Sequence, residues 1–187
     1  AQRGYDVVLH GRRRRALHRL KKAIEAQTNR RTKMVIEDLS RRNGAKRLHA
    51  ACDGLDVRLL FANAGVARVK PFIEDDVEAM LALNVCASTD LCRRFGRDMA
   101  RRGGGRVVLT SSLVGVPAHG CAGAAAYAAS KAYLRSFGNA PFNDLAALEW
   151  ELRRYPIVQH TGIGTKNEQA ITCAVYPFII GKCERAL

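Results

Sequence analysis

Four short, mostly apolar runs, each followed by a stretch with helical spacing, constrain this chain more than any other feature. They are Val7-Val8-Leu9-His10, Lys33-Met34-Val35-Ile36, Asp56-Val57-Arg58-Leu59-Leu60-Phe61 and Arg106-Val107-Val108-Leu109-Thr110. Runs of this kind, rich in Val, Ile and Leu with little alternation, are what strands buried on both faces look like. After the first run, Ala16, Leu17, Leu20 and Ile24 recur at helical spacing between Arg12 and about Arg30. A second helix is expected from about Ser40 to Cys52, and a long third from about Asp75 to Arg101, with Met80, Leu83 and Leu91 on its apolar positions. Gly103-Gly104-Gly105 breaks that helix, and a loop rich in Gly, Pro and Ala leads to another helix beginning near Ala125. Strands alternating with helices predict an α/β fold: a doubly wound parallel sheet with helices on both faces.

Beyond Pro141 the pattern is less decisive. Leu145 to Arg154 reads as continued helix, and Val158–Gly164 and Ile171–Ile180 are competing choices for a last strand. The 187 residues suit one domain, with 48% hydrophobic residues and no low-complexity linker to divide it. The net charge of +14 would favour polyanions, but the basic residues are spread over pairs such as Lys21-Lys22, Arg41-Arg42 and Arg101-Arg102 on expected helix surfaces and ends. Solvated helix faces are the simpler reading of those pairs. The six cysteines form no C-x-x-C pair and have no His at ligand spacing, which argues against a metal and for a reducing, cytoplasmic setting. No apolar run reaches the ~18 residues of a membrane span. No targeting segment is visible, and Ala1 to Gly4 reads as the tail of a helix.

Chemistry concentrates at strand ends, where ligands of such sheets bind. Tyr127 and Lys131 stand four residues apart at a helix start, on one face and within reach of each other. A free phenol ionises near pH 10, and an adjacent ammonium brings it towards neutrality, where it can exchange protons. Ser112 closes the preceding strand, where its hydroxyl can hold a substrate oxygen. Each residue also has a plainer explanation. Ser112 is an ordinary strand end, Asn63 and Gly65 are turn formers, Asp38 is a helix cap, and His119 is a solvated loop residue. Asn84 within a helix is unfavourable by propensity, which hints at a purpose.

Taken in order, these residues resemble the short-chain dehydrogenase/reductase family. Ala62-Asn63-Ala64-Gly65 is similar to its N-N-A-G turn with the first Asn replaced, and Leu83-Asn84-Val85 carries its catalytic Asn. Gly105 to Gly115 is similar to the strand bearing its catalytic Ser, with Ser112 at the matching position, and Tyr127-Ala128-Ala129-Ser130-Lys131 to its Y-x-x-x-K. Asp38-Leu39 resembles the dipeptide that contacts adenine, and Gly11-Arg12 the strand exit whose Arg grips the 2′-phosphate of NADP. The resemblance spans residues 1 to 140, leaving 141–187 divergent. It implies an incomplete Rossmann-like domain and a small-molecule ketone or alcohol substrate of 3-oxoacyl or steroid-like type. It favours NADP(H) over NAD(H), because Gly11 stands where NAD-dependent members carry an acidic residue. It assigns Asn84, Ser112, Tyr127 and Lys131 to catalysis, and Arg12, Asp38, Leu39, Asn63, Ala64, Gly65, Tyr127 and Lys131 to the cofactor. It is compatible with a homo-oligomer and implies no nucleic-acid partner.

Two departures stand out. The family opens with a strand and a glycine-rich turn, roughly two dozen residues with the helix after them. Here that strand and turn are missing, so a slot is expected between the strands at 6–10 and 56–61, one that Gly162-Ile163-Gly164 is too far along the fold to fill. Near the end, neither candidate strand is followed by the family's P-G turn. Three readings therefore remain: an NADP-dependent oxidoreductase, a non-catalytic remnant of the same family, and a basic nucleic-acid-binding module.

Overall fold

A computed structural model describes residues 1–2, 4–116 and 122–139, together with the backbone of two strands at 148–155 and 178–182. The first apolar run forms β1 (Asp6–Gly11), followed by α1 (Arg14–Thr28) and β2 (Thr32–Ile36). Helix α1 ends where Asn29 turns left-handed at φ 50° and its N–H bonds Glu25 O, the usual helix stop for a residue tolerant of that region. Then come α2 (Gly44–Ala50) and β3 (Leu59–Ala62). β3 begins three residues later than the expected run, and just ahead of it the Asp56 carboxylate and Arg58 guanidinium bind each other.

The long third helix is interrupted. A 3₁₀ turn at Phe72–Glu74 precedes α3 (Val77–Leu81), capped by Asp76, whose carboxylate accepts from Ala79 N. A π-helical stretch, Ala82–Ala87, then joins it to α4 (Ser88–Arg101). β4 (Gly105–Ser112) leads through the 3₁₀ turn Leu113–Gly115 to α5 (Ala125–Asn139).

Two further strands complete the sheet, in the order β2-β1-β6-β3-β4-β5. β5 (Leu148–Tyr155) runs parallel to β4 from Gly105↔Leu148 to Ser112↔Tyr155. Within the helix expected at Leu145–Arg154, the described residues from Leu148 on are therefore corrected to a strand. Leu148-Glu149-Trp150-Glu151-Leu152 alternates with period two, and that pattern prevails over the helix propensity of Leu and Glu.

β6 (Phe178–Lys182) lies in the centre of the sheet, antiparallel to β1 and β3. The sheet is thus mixed rather than wholly parallel, and the expected slot is filled. It also settles part of the register question: β6 takes up the end of the run Ile171–Ile180, whereas Val158–Gly164 lies outside the described residues.

Alternation along β1 splits the core between two layers. Val8 joins Leu48 of α2, Leu60 of β3, Leu91, Phe95 and Met99 of α4 and Leu134 of α5 on one face. Val7 and Leu9 pack with Leu17 of α1 on the other. Leu48, Leu60 and Leu91 are wholly buried, so truncating any one to Ala costs about 2–5 kcal/mol.

Candidate functional site

The site is assembled at the carboxyl ends of β1, β2, β3 and β4. β4 contributes three successive residues. The Thr110 carbonyl accepts from Lys131 Nζ at 2.8 Å, the Ser111 hydroxyl donates to the Lys131 carbonyl at 2.8 Å, and the Ser112 hydroxyl accepts from Val114 N at 3.4 Å. The strand end is therefore bound to the second turn of α5. Gly115 makes this docking close, since a Cβ there would stand 2.7 Å from Lys131 C and Ala132 N.

On α5, Tyr127 and Lys131 are each only 5% exposed, and the ammonium lies 5.8 Å from the centre of the phenol ring. Tyr127 also packs with Met80, Ala67 and Ala124 in a small apolar cluster. Burial of a cation beside a phenol, with a backbone carbonyl holding the cation, is an arrangement that can lower the cost of moving a proton at the phenol oxygen.

Asn84 is fully buried in the π-helical stretch, where the ordinary i→i−4 ladder is relaxed. Its side chain is held on three sides. Oδ1 accepts from Val66 N at 2.9 Å, and Nδ2 donates to Val66 O at 2.9 Å and to Ser130 Oγ at 3.1 Å. Ser130 Oγ in turn donates to Tyr127 O at 2.7 Å, so Asn84 is tied to α5 itself. Gly65 lies directly over this group, and a Cβ there would stand 3.1 Å from Asn84 Oδ1 and 3.4 Å from Lys131 Nζ. The turn after β3, the π stretch and α5 thus meet around one point.

Gly65 is also the link to a cavity of about 340 Å³, lined among others by His10, Arg12, Asp38, Leu39, Ala64 and Gly65. Leu39 is buried and offers an apolar wall. Asp38 accepts from Ser40 N at 3.0 Å and Ser40 Oγ at 2.7 Å, and Arg12 Nη1 lies 3.7 Å from its carboxylate. Burial pushes the Asp38 carboxyl up, but the Ser40 hydrogen bonds with the Arg12 and Arg41 charges outweigh it and hold it below the ordinary value. The Arg12 side chain is 62% exposed, so its guanidinium is open to an anion arriving from solvent. Glu37 is clamped by Arg47 through two hydrogen bonds of 2.7 and 2.9 Å. His10 Nε2 lies 3.0 Å from Glu37 O, and desolvation holds its pKa below the ordinary value against the pull of that carbonyl and the nearby carboxylates.

The structure therefore brings Asn84, Tyr127, Lys131 and Gly65 into one cluster, with Ser112 at the end of the strand that anchors it. Arg12, Asp38, Leu39, Ala64 and Gly65 share the adjoining cavity, and Asn63 precedes them at the exit of β3. His119 lies outside the described residues. Sequence reasoning overlooked His10 and Ser130, and used Gly115 only to mark which serine matches. A buried Ser one position before Lys131 carries no local signal, because its partner is 46 residues away.

A dinucleotide needs a nucleoside pocket, donors for its diphosphate and a ledge for the second ribose. The cavity fits the first, and its wall at Gly65, where the missing side chain brings the backbone close to Lys131 Nζ, suits the last. Between them, in the central strand position, β6 enters the sheet at this end rather than leaving it, so no strand-to-helix turn presents N–H groups there among the described residues.

A family model of the short chain dehydrogenases matches residues 1–153. The chain is 31% identical over 137 residues to a 7beta-hydroxysteroid dehydrogenase of Clostridium sardiniense, covering 72% of this chain and 52% of that protein. It spans little more than half the length of the curated relatives it matches. Among solved structures, the bulky-bulky ketone specific alcohol dehydrogenase of Comamonas testosteroni superposes with a TM-score of 0.78 at 19% identity, over 88% of this chain and 68% of that one. A short-chain dehydrogenase from Sphingobium yanoikuyae in complex with NADPH superposes with a TM-score of 0.76 at 22% identity, over 83% and 63%. With the Rossmann-like α/β sheet already in place, these likenesses identify the chain as belonging to the short-chain dehydrogenase family.

Proposed function

We propose that this chain carries the catalytic and nucleotide-binding parts of an NADP(H)-dependent oxidoreductase that interconverts a ketone and a secondary alcohol. The observation that carries the reading is the joining of the Asn84–Ser130–Tyr127–Lys131 cluster to the Arg12–Asp38 cavity through Gly65. When bound, the nicotinamide cofactor supplies or accepts the hydride. Tyr127 gives the proton to the carbonyl oxygen in reduction and takes it back in oxidation. Lys131, fixed by the Thr110 carbonyl, favours the phenolate and lies where it can hold the nicotinamide ribose. Ser112 orients the substrate oxygen, and Asn84 holds the turn at Val66 in place and would hold a water of the proton relay.

Leu39, Ala64 and Gly65 form the walls for adenosine, with Asp38 and Asn63 at its rim. Arg12 favours a 2′-phosphate because it is a largely exposed cation beside Gly11 rather than beside a second acid. The relatives named above act, by their names, on a hydroxysteroid and on bulky ketones, and one neighbour holds NADPH, which supports a bulky or steroid-like ketone and this cofactor. We place the protein, as a single Rossmann-like domain able to self-associate, in a reducing cytoplasmic compartment. Cys52 and Cys92 are buried free thiols, and among the described residues no helix is long and apolar enough to cross a membrane. Many surface arginines are already engaged by acids, as in Arg31–Asp6, Arg47–Glu37 and Arg94–Asp90, which leaves less of the positive charge for nucleic acid.

The test is NADPH binding, read by protein-to-nicotinamide energy transfer, together with NADPH consumption over a panel of bulky and steroid ketones. Wild type should bind and turn over. Tyr127→Phe should bind equally well and lose about 10²–10⁴-fold in turnover, the usual share of a positioned proton donor. A folded wild-type chain that binds no NADPH, or a Tyr127→Phe variant as active as wild type, would overturn the assignment and favour a non-catalytic remnant.

A further inference from the structure

β1 has two neighbours, and only one of them comes from the βαβ unit that contains it. On one side Val7 to Gly11 pair with Thr32 to Ile36 of β2; on the other Asp6 to His10 pair with Lys182 to Phe178. β3 is placed in the same way, with β4 on one side and Gly181 and Ile180 on the other. Take β6 away and β1 and β3 stand about 10 Å apart, two inter-strand spacings of ~4.8 Å. That gap is one strand wide. Its walls are main-chain edges, and the residues beside it are core residues: Val7 and Leu9 in the layer under α1, Val8 and Leu60 in the layer under α2 and α4.

Such a gap cannot stay empty at low cost. The facing N–H and C=O groups are buried with these side chains, and each one left unpaired costs roughly 1–3 kcal/mol. The segment that fills it is suited to the place. Phe178-Ile179-Ile180 is a continuous apolar run, as a strand covered on both faces requires, and Lys182 falls at the register of Asp6, at the outer end. Ile180 and Gly181 are the residues matched on both sides, Ile180 opposite Val8 and Leu60, and Gly181 opposite Val7 and Leu59.

We infer that the gap between β1 and β3 is a strand-acceptor groove, and that its ligand is the extended segment Phe178–Lys182 of the same chain, inserted antiparallel. The groove recognises an apolar strand through main-chain pairing on both edges, so a free peptide of the same sequence competes for it. Because Phe178 sits at the register of His10, occupancy of the groove also holds β1 and β3 at the spacing that sets the nucleotide cavity. The pairing itself stands independently of the proposed activity, and only the cavity consequence rests on it.

Hydrogen exchange on the 187-residue chain tests this first. Amides across 179–182 should be protected to within about tenfold of those in β4, as members of one cooperative sheet are. Exchange of 178–182 at unprotected rates while β4 stays protected would overturn the inference. In the Ile180→Pro chain, which loses the donor and adds a ring at a doubly paired position, protection should fall by at least about 100-fold over 178–182 and at Val8 and Leu60. A synthetic peptide covering Tyr176–Glu184 should restore protection at Val8 and Leu60, and the same peptide carrying the proline should not. If both peptides act alike, or neither does, the groove is not a sequence-selective acceptor. Should the proline variant fail to fold, the wild-type exchange pattern decides. Restored protection without NADPH binding by any form would uphold the groove and count against the dinucleotide reading alone.

Discussion

Replacing Gly115 by Ala should damage the site more than its distance from the reacting groups suggests. The new Cβ would lie 2.7 Å from Lys131 C and from Ala132 N, and 3.0 Å from Lys131 Cβ. Two of these are backbone atoms in the middle of a helix and have no rotamer through which to yield. To reach the 3.4 Å of ordinary contact, the turn and α5 must separate by about 0.7 Å. That movement stretches the 2.8 Å bonds joining Lys131 Nζ to Thr110 and Ser111 to Lys131 O. It also carries Tyr127 away from Ser112. Overpacking of this kind costs about 1–3 kcal/mol, or roughly 2–12 °C in Tm for a chain this size. A misplacement near 1 Å at a reacting centre costs about 100-fold, so ketone-dependent NADPH consumption should fall between about 10- and 100-fold.

The matched control is Gly105→Ala, whose Cβ would also meet atoms at 2.7 Å, but those are Cγ and Sδ of Met99, a flexible side chain that can move aside. It should lose stability at the low end of the same range and keep kcat near wild type. Thermal unfolding and steady-state kinetics on both variants decide. If Gly115→Ala retains wild-type activity and Tm, or Gly105→Ala loses as much activity, hard contact at the β4–α5 junction does not set the geometry.

Two further outcomes are expected. His10 is buried with a depressed pKa, so the unfolded chain takes up its proton first; stability should be full above about pH 6.5 and fall as pH drops below that value towards the folded pKa, a component absent in His10→Gln and measurable as the difference in Tm between pH 7.5 and 5.5. A maleimide at pH 8 should label the exposed Cys86 and spare Cys52 and Cys92, whose thiols burial pushes up to about 11 and about 12; peptide mapping that finds either buried thiol modified as fast as Cys86 would contradict their packing.

How far the sequence discloses this molecule depends on how local each signal is. β1, β2 and β4 announce themselves as apolar runs between helices, and α1 follows from the spacing of Leu17, Leu20 and Ile24. β5 is hidden because Leu and Glu favour helix while their order favours strand, and only a neighbouring edge, here β4, tips the balance. The antiparallel placement of β6 is invisible in its own residues. Any buried apolar segment would satisfy the pattern, and the partners that choose it lie at the other end of the chain. In the site, Tyr127 and Lys131 can be found because they are four apart on one helix. The link of Tyr127 to Asn84 through Ser130, and of Lys131 to β4 through Thr110 and Ser111, depends on three elements meeting in space. The break at Ala82–Ala87 is equally silent, since its residues keep the helical composition around them.

That π-helical stretch sets local stability against the geometry around it. A π turn holds one residue more than an α turn, so the face of α4 is offset from that of α3 by the angle of a single residue. Removing one residue would let the whole segment relax into a better-bonded continuous helix. It would also rotate Asn84 off Val66, or swing Leu91, Phe95 and Met99 out of the core. Selection for helix stability and selection for the position of Asn84 therefore pull in opposite directions at the same six residues. Small insertions and deletions, readily absorbed in the loops of this fold, have no neutral form here.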